Sequence, residues 1–81
     1  MRIKNWIINK DYIRSAFSYI NVANLTHNDL LILHETDHNY EIVLYEGYTK
    51  KVIFRKIFRT KEQAKKFAIN FMKTHPKSII R

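Results

Sequence analysis

The last third of the chain carries the pattern that most restricts its fold, a helix with a strong start signal that directly follows two strand-like runs. Thr60 is a good N-cap residue, and Gln63 three residues later completes a capping box. Apolar residues then recur at helical spacing, and Pro76 disfavours helix at the residue before it. The pattern predicts a helix over about residues 60–74. The apolar positions on its buried face are Ala64, Phe67, Ala68, Phe71 and Met72.

Short runs rich in β-forming residues precede this helix. Residues 40–45 and 51–58 flank Gly47, the one glycine of the chain, which indicates a hairpin. Residues 29–34 form another apolar run, and residues 36–39 after it have good turn chemistry. These runs predict three consecutive antiparallel strands.

Alternation along the last of these strands assigns its side chains to two faces of the sheet. The bulkier set, Val52, Phe54 and Phe58, is expected to pack beneath the helix. Arg55 and Arg59 would then point away from the helix.

The N-terminal part of the sequence is less decisive. Residues 3–8, around Trp6, favour a strand. Residues 11–24 fit two patterns, because Asp11 can cap an amphipathic helix while the composition of the segment favours β-structure. Both alternatives stay open, with helix the slightly better fit. We therefore expect one small α+β domain over residues 1–81. In this domain the C-terminal helix packs against an antiparallel sheet of three to four strands, and residues 11–24 are the candidate for a second helix.

Composition restricts where the protein works and what it can bind. The chain has no cysteine, so it forms neither disulfides nor cysteine-based zinc sites. No apolar run approaches the roughly 20 residues needed to span a bilayer, and we expect no signal peptide. We therefore expect a soluble, cytoplasmic protein that does not engage membranes. The abundance of Ile, Lys and Asn is typical of AT-rich coding, as in a low-GC bacterium or its phages.

The string His34-Glu35-Thr36-Asp37-His38 matches the His-Glu-x-x-His pattern of zinc metalloproteases. That chemistry needs a helix, on which both histidines point at one metal and the glutamate acts as general base. The flanking runs here predict strands, so the string falls in and beside a turn. We therefore predict no catalytic residue, no metal site, no cofactor and no enzyme activity. The exception would be a metal-dependent hydrolase acting through His34, Glu35 and His38.

Charge is divided very unevenly along the chain. Residues 1–49 carry four bases and six acids, whereas residues 50–81 carry eleven bases and one acid, Glu62. Such a division predicts an acidic partner for the C-terminal half, and nucleic acid is the commonest, because each neutralised phosphate releases condensed counterions. The candidate binding residues are Lys50, Lys51, Arg55, Lys56, Arg59, Lys61, Lys65, Lys66 and Lys73.

Two functions fit this charge pattern. The first is a non-catalytic binding protein that engages nucleic acid or a nucleic-acid-containing complex, with Tyr45 and Tyr48 near enough to stack on bases. Cross-strand packing is the favoured role for the two tyrosines. The alternative is a small regulator or inhibitor of phage or mobile-element type, which binds an acidic or nucleic-acid-binding surface of a host protein.

The string from Thr60 to Ala68 resembles the opening of the last helix in double-stranded RNA-binding domains. If residues 11–24 are helical, the element order of helix, three strands and helix is also that of the family. The resemblance implies phosphate contacts by Lys61 and Lys65 across a groove. Glu62 stands where the family has a lysine, and the family's glycine-rich segment before the helix is missing.

Overall fold

The computed structural model describes residues 3–8, 17–23 and 28–79. Five strands precede one helix along these residues: β1 (Trp6–Ile8), β2 (Ser18–Asn21), β3 (Leu30–Glu35), β4 (Tyr40–Tyr45), β5 (Val52–Phe58) and α1 (Lys61–Thr74). The strands form one sheet in the order β1-β2-β3-β4-β5, with every neighbouring pair antiparallel. The predicted α+β architecture is therefore confirmed, with five strands in place of three to four.

Local sequence signals placed β3, β4, β5 and α1 within one or two residues of their observed bounds. The predicted turn before β4 is closed by the amide of Thr36, which donates to the carbonyl oxygen of Asn39 at 2.9 Å. The helix begins where its capping signal lies, since the hydroxyl of Thr60 accepts the amide of Gln63 at 3.1 Å. It ends at Thr74, as Pro76 predicts.

The helix favoured for residues 11–24 is wrong over Ser18–Asn21, which form β2. Residues 11–16 and 24 lie outside the described part of the chain. Within β2, Tyr19 pairs with Leu31 of the neighbouring strand and is buried in the core. Pairing with β3 decides the conformation here, because β-forming residues gain most where another strand offers them a partner. The order of helix, three strands and helix expected from the RNA-binding resemblance is therefore not the order of this fold.

The core lies between one face of the sheet and α1. Ala64, Ala68, Phe71 and Met72 of the helix are buried there. Facing them from the sheet are Tyr19, Leu31, Leu33, Ile42 and Leu44. As predicted, aromatic side chains of β5 lie against the helix: the Phe67 ring centroid is 5.3 Å from that of Phe58, and the Phe71 centroid is 5.2 Å from that of Phe54.

The expectation that Val52 packs beneath the helix is wrong, and a register shift in β5 is the reason. Leu44 pairs with Phe54, whereas the next residue, Tyr45, pairs with Val52, so Ile53 is an extra residue on its strand. This shift turns Val52 to the face of the sheet opposite α1, here called the far face, and leaves it 47% exposed. Ile53 packs against the core instead.

The far face also contains buried apolar residues. Ile32 and Val43 pair with each other across β3 and β4, and their exposures are 3% and 1%. On the same face, the Nε2 atom of His34 lies 3.1 Å from the hydroxyl of Tyr45. Ile32 and Val43 lie between these two rings along their strands, so the contact helps to cover them.

The residues after α1 are fastened to β1, β2 and the turn before β1 by side-chain hydrogen bonds. The indole Nε1 of Trp6 donates to the carbonyl oxygen of His75 at 2.9 Å. The side-chain amides of Asn5 and Asn21 both donate to the carbonyl oxygen of Pro76, at 2.9 and 3.1 Å. These bonds join residues that are 55 to 71 positions apart in the chain.

Asp29 completes this set of contacts, which we call the C-terminal clamp. Its carboxylate is fully buried and accepts the hydroxyl of Ser78 at 2.7 Å on one oxygen and the amide of Gly47 at 3.0 Å on the other. The β4–β5 turn passes so close to the residues before β3 that a Cβ on Gly47 would lie 2.3 Å from the carbonyl oxygen of Asn28. The clamp therefore ties the end of the chain and the β4–β5 turn to one buried carboxylate.

Within the described residues, no helix is long and apolar enough to cross a membrane.

Replacing Phe71 by alanine should lower the free energy of unfolding by about 3–5 kcal/mol, because the ring is buried between helix and sheet and would leave a cavity. Thermal or urea unfolding followed by circular dichroism measures the change. Asn70→Ala is the matched control on the exposed side of the same helix, with an expected change within about 0.5 kcal/mol. Equal stability of the two variants would show that α1 does not dock by this face.

Replacing Asp29 by alanine should lower the free energy of unfolding by about 3 kcal/mol, since it leaves the donors at Gly47 and Ser78 without their carboxylate. Urea unfolding again provides the measurement. Asp37→Ala removes an exposed carboxylate from the β3–β4 turn and should change stability by less than about 0.5 kcal/mol. If both aspartate variants unfold alike, the clamp contributes nothing to stability.

Candidate nucleic-acid interface

Five of the predicted binding residues lie on or beside β5, and we call them the strand group. Its members are Lys50, Lys51, Arg55, Lys56 and Arg59. All five are exposed. Lys50 ends the β4–β5 turn with a positive φ of 65°, and its amide donates to the carbonyl oxygen of Glu46 at 2.8 Å. The backbone of the turn therefore fixes where the strand group begins.

Arg55 and Lys56 project to opposite sides of the sheet. Arg55 pairs with Val43 and points to the far face, as predicted, where its Nε lies 4.0 Å from a carboxylate oxygen of Glu41. Lys56 lies on the helix side, with its Nζ 5.6 Å from the centroid of the Phe67 ring. At that distance a cation–π contact can hold the lysine beside α1. The strand group thus presents positive charge on both sides of β5.

The remaining four bases lie on α1 and form the helix group. They are Lys61, Lys65, Lys66 and Lys73, and all are exposed. Successive helical residues turn by about 100°, and the contacts of Phe67 mark the side of α1 that faces β5. By that geometry Lys66 lies about 100° from Phe67 and Lys65 about 160° from it. The helix group therefore spreads around the exposed surface of α1, and Lys56 is the strand-group residue that reaches the helix.

Few of these nine bases lie close to an acidic side chain. In the part of the chain that the structure describes, Arg55 alone among them lies within 4.0 Å of an acidic side chain. Glu46, the acid nearest to Lys50 in sequence, accepts the amides of Tyr48 and Thr49 within its own turn. Within the described residues, the other eight bases therefore have no carboxylate within 4.0 Å, although the sequence places Glu62 on the same helix as the helix group.

The two tyrosines near this surface have different environments. Tyr45 is half-buried and packs edge-on against His34, with ring centroids 6.2 Å apart, which agrees with a packing role. Tyr48 lies in the β4–β5 turn and is 76% exposed. Of the two, Tyr48 therefore has the accessible ring.

The His-Glu-x-x-His string adopts strand and turn conformations, as its flanks predict. His34 and Glu35 end β3, and His38 lies in the exposed turn that follows. The helical geometry that directs both histidines at one metal is therefore missing. Among the described residues, no group of three or more His, Asp or Glu side chains is placed to hold a metal ion.

The C-terminal clamp is the feature that the sequence patterns did not reveal. Asn21 and Asp29 are polar residues at the ends of apolar runs, which fit ordinary turns equally well. Their burial, at 1% and 0% exposed, is visible only after β2 and β3 have paired and the end of the chain has returned to them.

Comparison of the chain with protein-family models, with curated proteins and with solved structures gave no match.

Proposed function

We propose that this protein is a non-catalytic binding protein that engages nucleic acid, alone or within a ribonucleoprotein, through phosphate contacts by the strand group and the helix group. One observation carries the proposal. Nine bases are exposed on one strand and one helix, and only Arg55 among them has an acidic side chain within 4.0 Å in the described structure. Within the described structure, none of the other eight has an ion pair that must break before it meets a phosphate.

The chemistry of the side chains indicates what kind of contact they make. Seven of the nine are lysines, whose ammonium groups act as flexible point charges and not as a rigid fork that reads base edges. Contacts of this kind fix a protein on the phosphate backbone and carry no sequence information directly. We therefore expect binding that depends strongly on salt and weakly on base sequence.

Affinity for nucleic acid should fall steeply with salt, with a slope of log K against log salt of about −0.9 per phosphate contacted on duplex DNA and about −0.7 on single strands. Replacing Lys65 and Lys66 together by glutamine should flatten the slope by roughly one to two units. Each lost phosphate contact reduces the number of counterions that the nucleic acid releases on binding. Fluorescence anisotropy with labelled duplex and single-stranded DNA and RNA provides the measurement.

Lys4→Gln combined with Lys77→Gln is the matched control, since it removes the same charge from exposed positions beside the C-terminal clamp. We expect it to leave the slope nearly unchanged. An equal loss in both double variants would identify the lysines as a general solubilising coat. Absence of binding to all four nucleic acids at about 100 mM salt would refute the proposed function.

A further inference from the structure

β5 is an edge strand among the described residues, and its outer side bears backbone groups that can pair with another chain. The sheet order places β5 last, and its one described neighbour is β4. An edge of this kind presents a row of N–H and C=O groups that can act as a template for an added strand. At seven residues, β5 is also the longest of the strands that the structure describes.

The ladder shows which residues of β5 direct their backbone outward. The amide of Leu33 donates to the carbonyl oxygen of Phe17, so the odd residues of β3 bond to β2 and its even residues bond to β4. The same alternation then directs residues 40, 42 and 44 of β4 toward β5. Their partners Phe58, Lys56 and Phe54 bond inward. Arg55 and Ile57, which lie between those partners, therefore direct their N–H and C=O groups away from the sheet.

The side chains beside this edge are apolar as well as basic. On the far face, Val52 is 47% exposed and Ile57 is 60% exposed. Large apolar residues left open along an edge strand favour contact with a further strand, which would cover them and satisfy the outward backbone groups.

Charge determines which strand can bind there. If a second copy of β5 paired antiparallel about its centre through the outward groups, Arg55 would face Arg55 of that copy, or Lys56 would face Lys56 in the next register, and like charges directly opposite are destabilising. With an extended segment that has adjacent acidic residues, the charge interaction becomes attractive. One carboxylate meets Arg55 on the far face, and the next meets Lys56 on the helix side. The bases that oppose self-pairing thus select an acidic strand.

We infer that β5 binds an extended acidic segment of a partner protein, which adds to the sheet as a strand next to β5. Backbone hydrogen bonds at Arg55 and Ile57 supply affinity, and the two adjacent bases supply specificity. The two proposed interactions share Arg55 and Lys56, but strand addition also needs the outward backbone groups of β5, which phosphate contacts do not use, and it leaves Lys65 and Lys66 free.

The test uses a fluorescein-labelled peptide of alternating valine and threonine with two adjacent glutamates at its centre. Ile57→Pro removes an amide that is directed away from β4, the one described neighbour of β5, and proline is tolerated at such edge positions. We expect this variant to bind the peptide about tenfold or more weakly than the wild type, since an added strand loses a backbone bond and its alignment. Ile57→Thr keeps the amide and should bind within about threefold of the wild type.

A second variant keeps the test decisive if proline disturbs the fold. Arg55→Glu combined with Lys56→Glu leaves the backbone intact and should prefer a peptide whose central residues are lysines over the glutamate peptide, because both side chains that face the peptide's central residues have then reversed their charge. Equal peptide affinity for Ile57→Pro and Ile57→Thr would overturn the inference, as would equal affinity of the wild type for the two peptides. Wild-type dimerisation that Ile57→Pro abolishes would overturn it in favour of a second copy. Nucleic-acid binding by Ile57→Pro should match that of the wild type, so the two proposals succeed or fail separately.

Discussion

The fold depends on the contacts that hold residues 75–78 against the first strands of the sheet. Helix α1 packs across the sheet, and the C-terminal clamp then bonds residues 75–78 to Trp6, Asn21 and Asp29. Without disulfides, a domain of this size has only its core and such bonds to hold distant segments together. The clamp spans the described strands from the turn before β1 to the β4–β5 turn, because Asp29 also accepts the amide of Gly47. The clamp as a whole therefore connects the two edge strands of the described sheet, and the buried carboxylate of Asp29 is its link to the β4–β5 turn.

The packing of α1 and the position of the β4–β5 turn determine where the basic side chains are exposed. Because the core occupies one face of α1, the lysines of that helix are left on its exposed sides. The β4–β5 turn, held by Asp29, fixes the start of β5 and with it the strand group. The bases that are concentrated in the C-terminal part of the sequence therefore lie together in the structure, on the last strand and on the helix that follows it. Among the described residues, the same arrangement leaves β5 with an outer edge that carries both apolar and basic side chains.

Much of this fold could be predicted from the sequence wherever a signal is local. The cap at Thr60, the break at Pro76 and the turn from Thr36 to Asn39 act over three or four residues, and each lies where expected. The failures are non-local. The strand conformation of Ser18–Asn21 depends on pairing with β3, and the displacement of Val52 depends on a register shift against β4. Exposure of the nine bases was predictable because lysine and arginine are rarely buried, whereas their spread around α1 required the docked helix.

A residue-resolved map of the surface that contacts nucleic acid would test the proposed binding surface most directly. Amide chemical-shift changes on titration with a short duplex, recorded on isotope-labelled protein at low salt, provide that map. We expect the largest changes in the first two turns of α1 and along β5, with small changes at Trp6, Asn21 and Ser78 in the clamp. Changes concentrated at the clamp, or spread evenly over the whole protein, would contradict the assignment of the basic strand and helix as the functional surface.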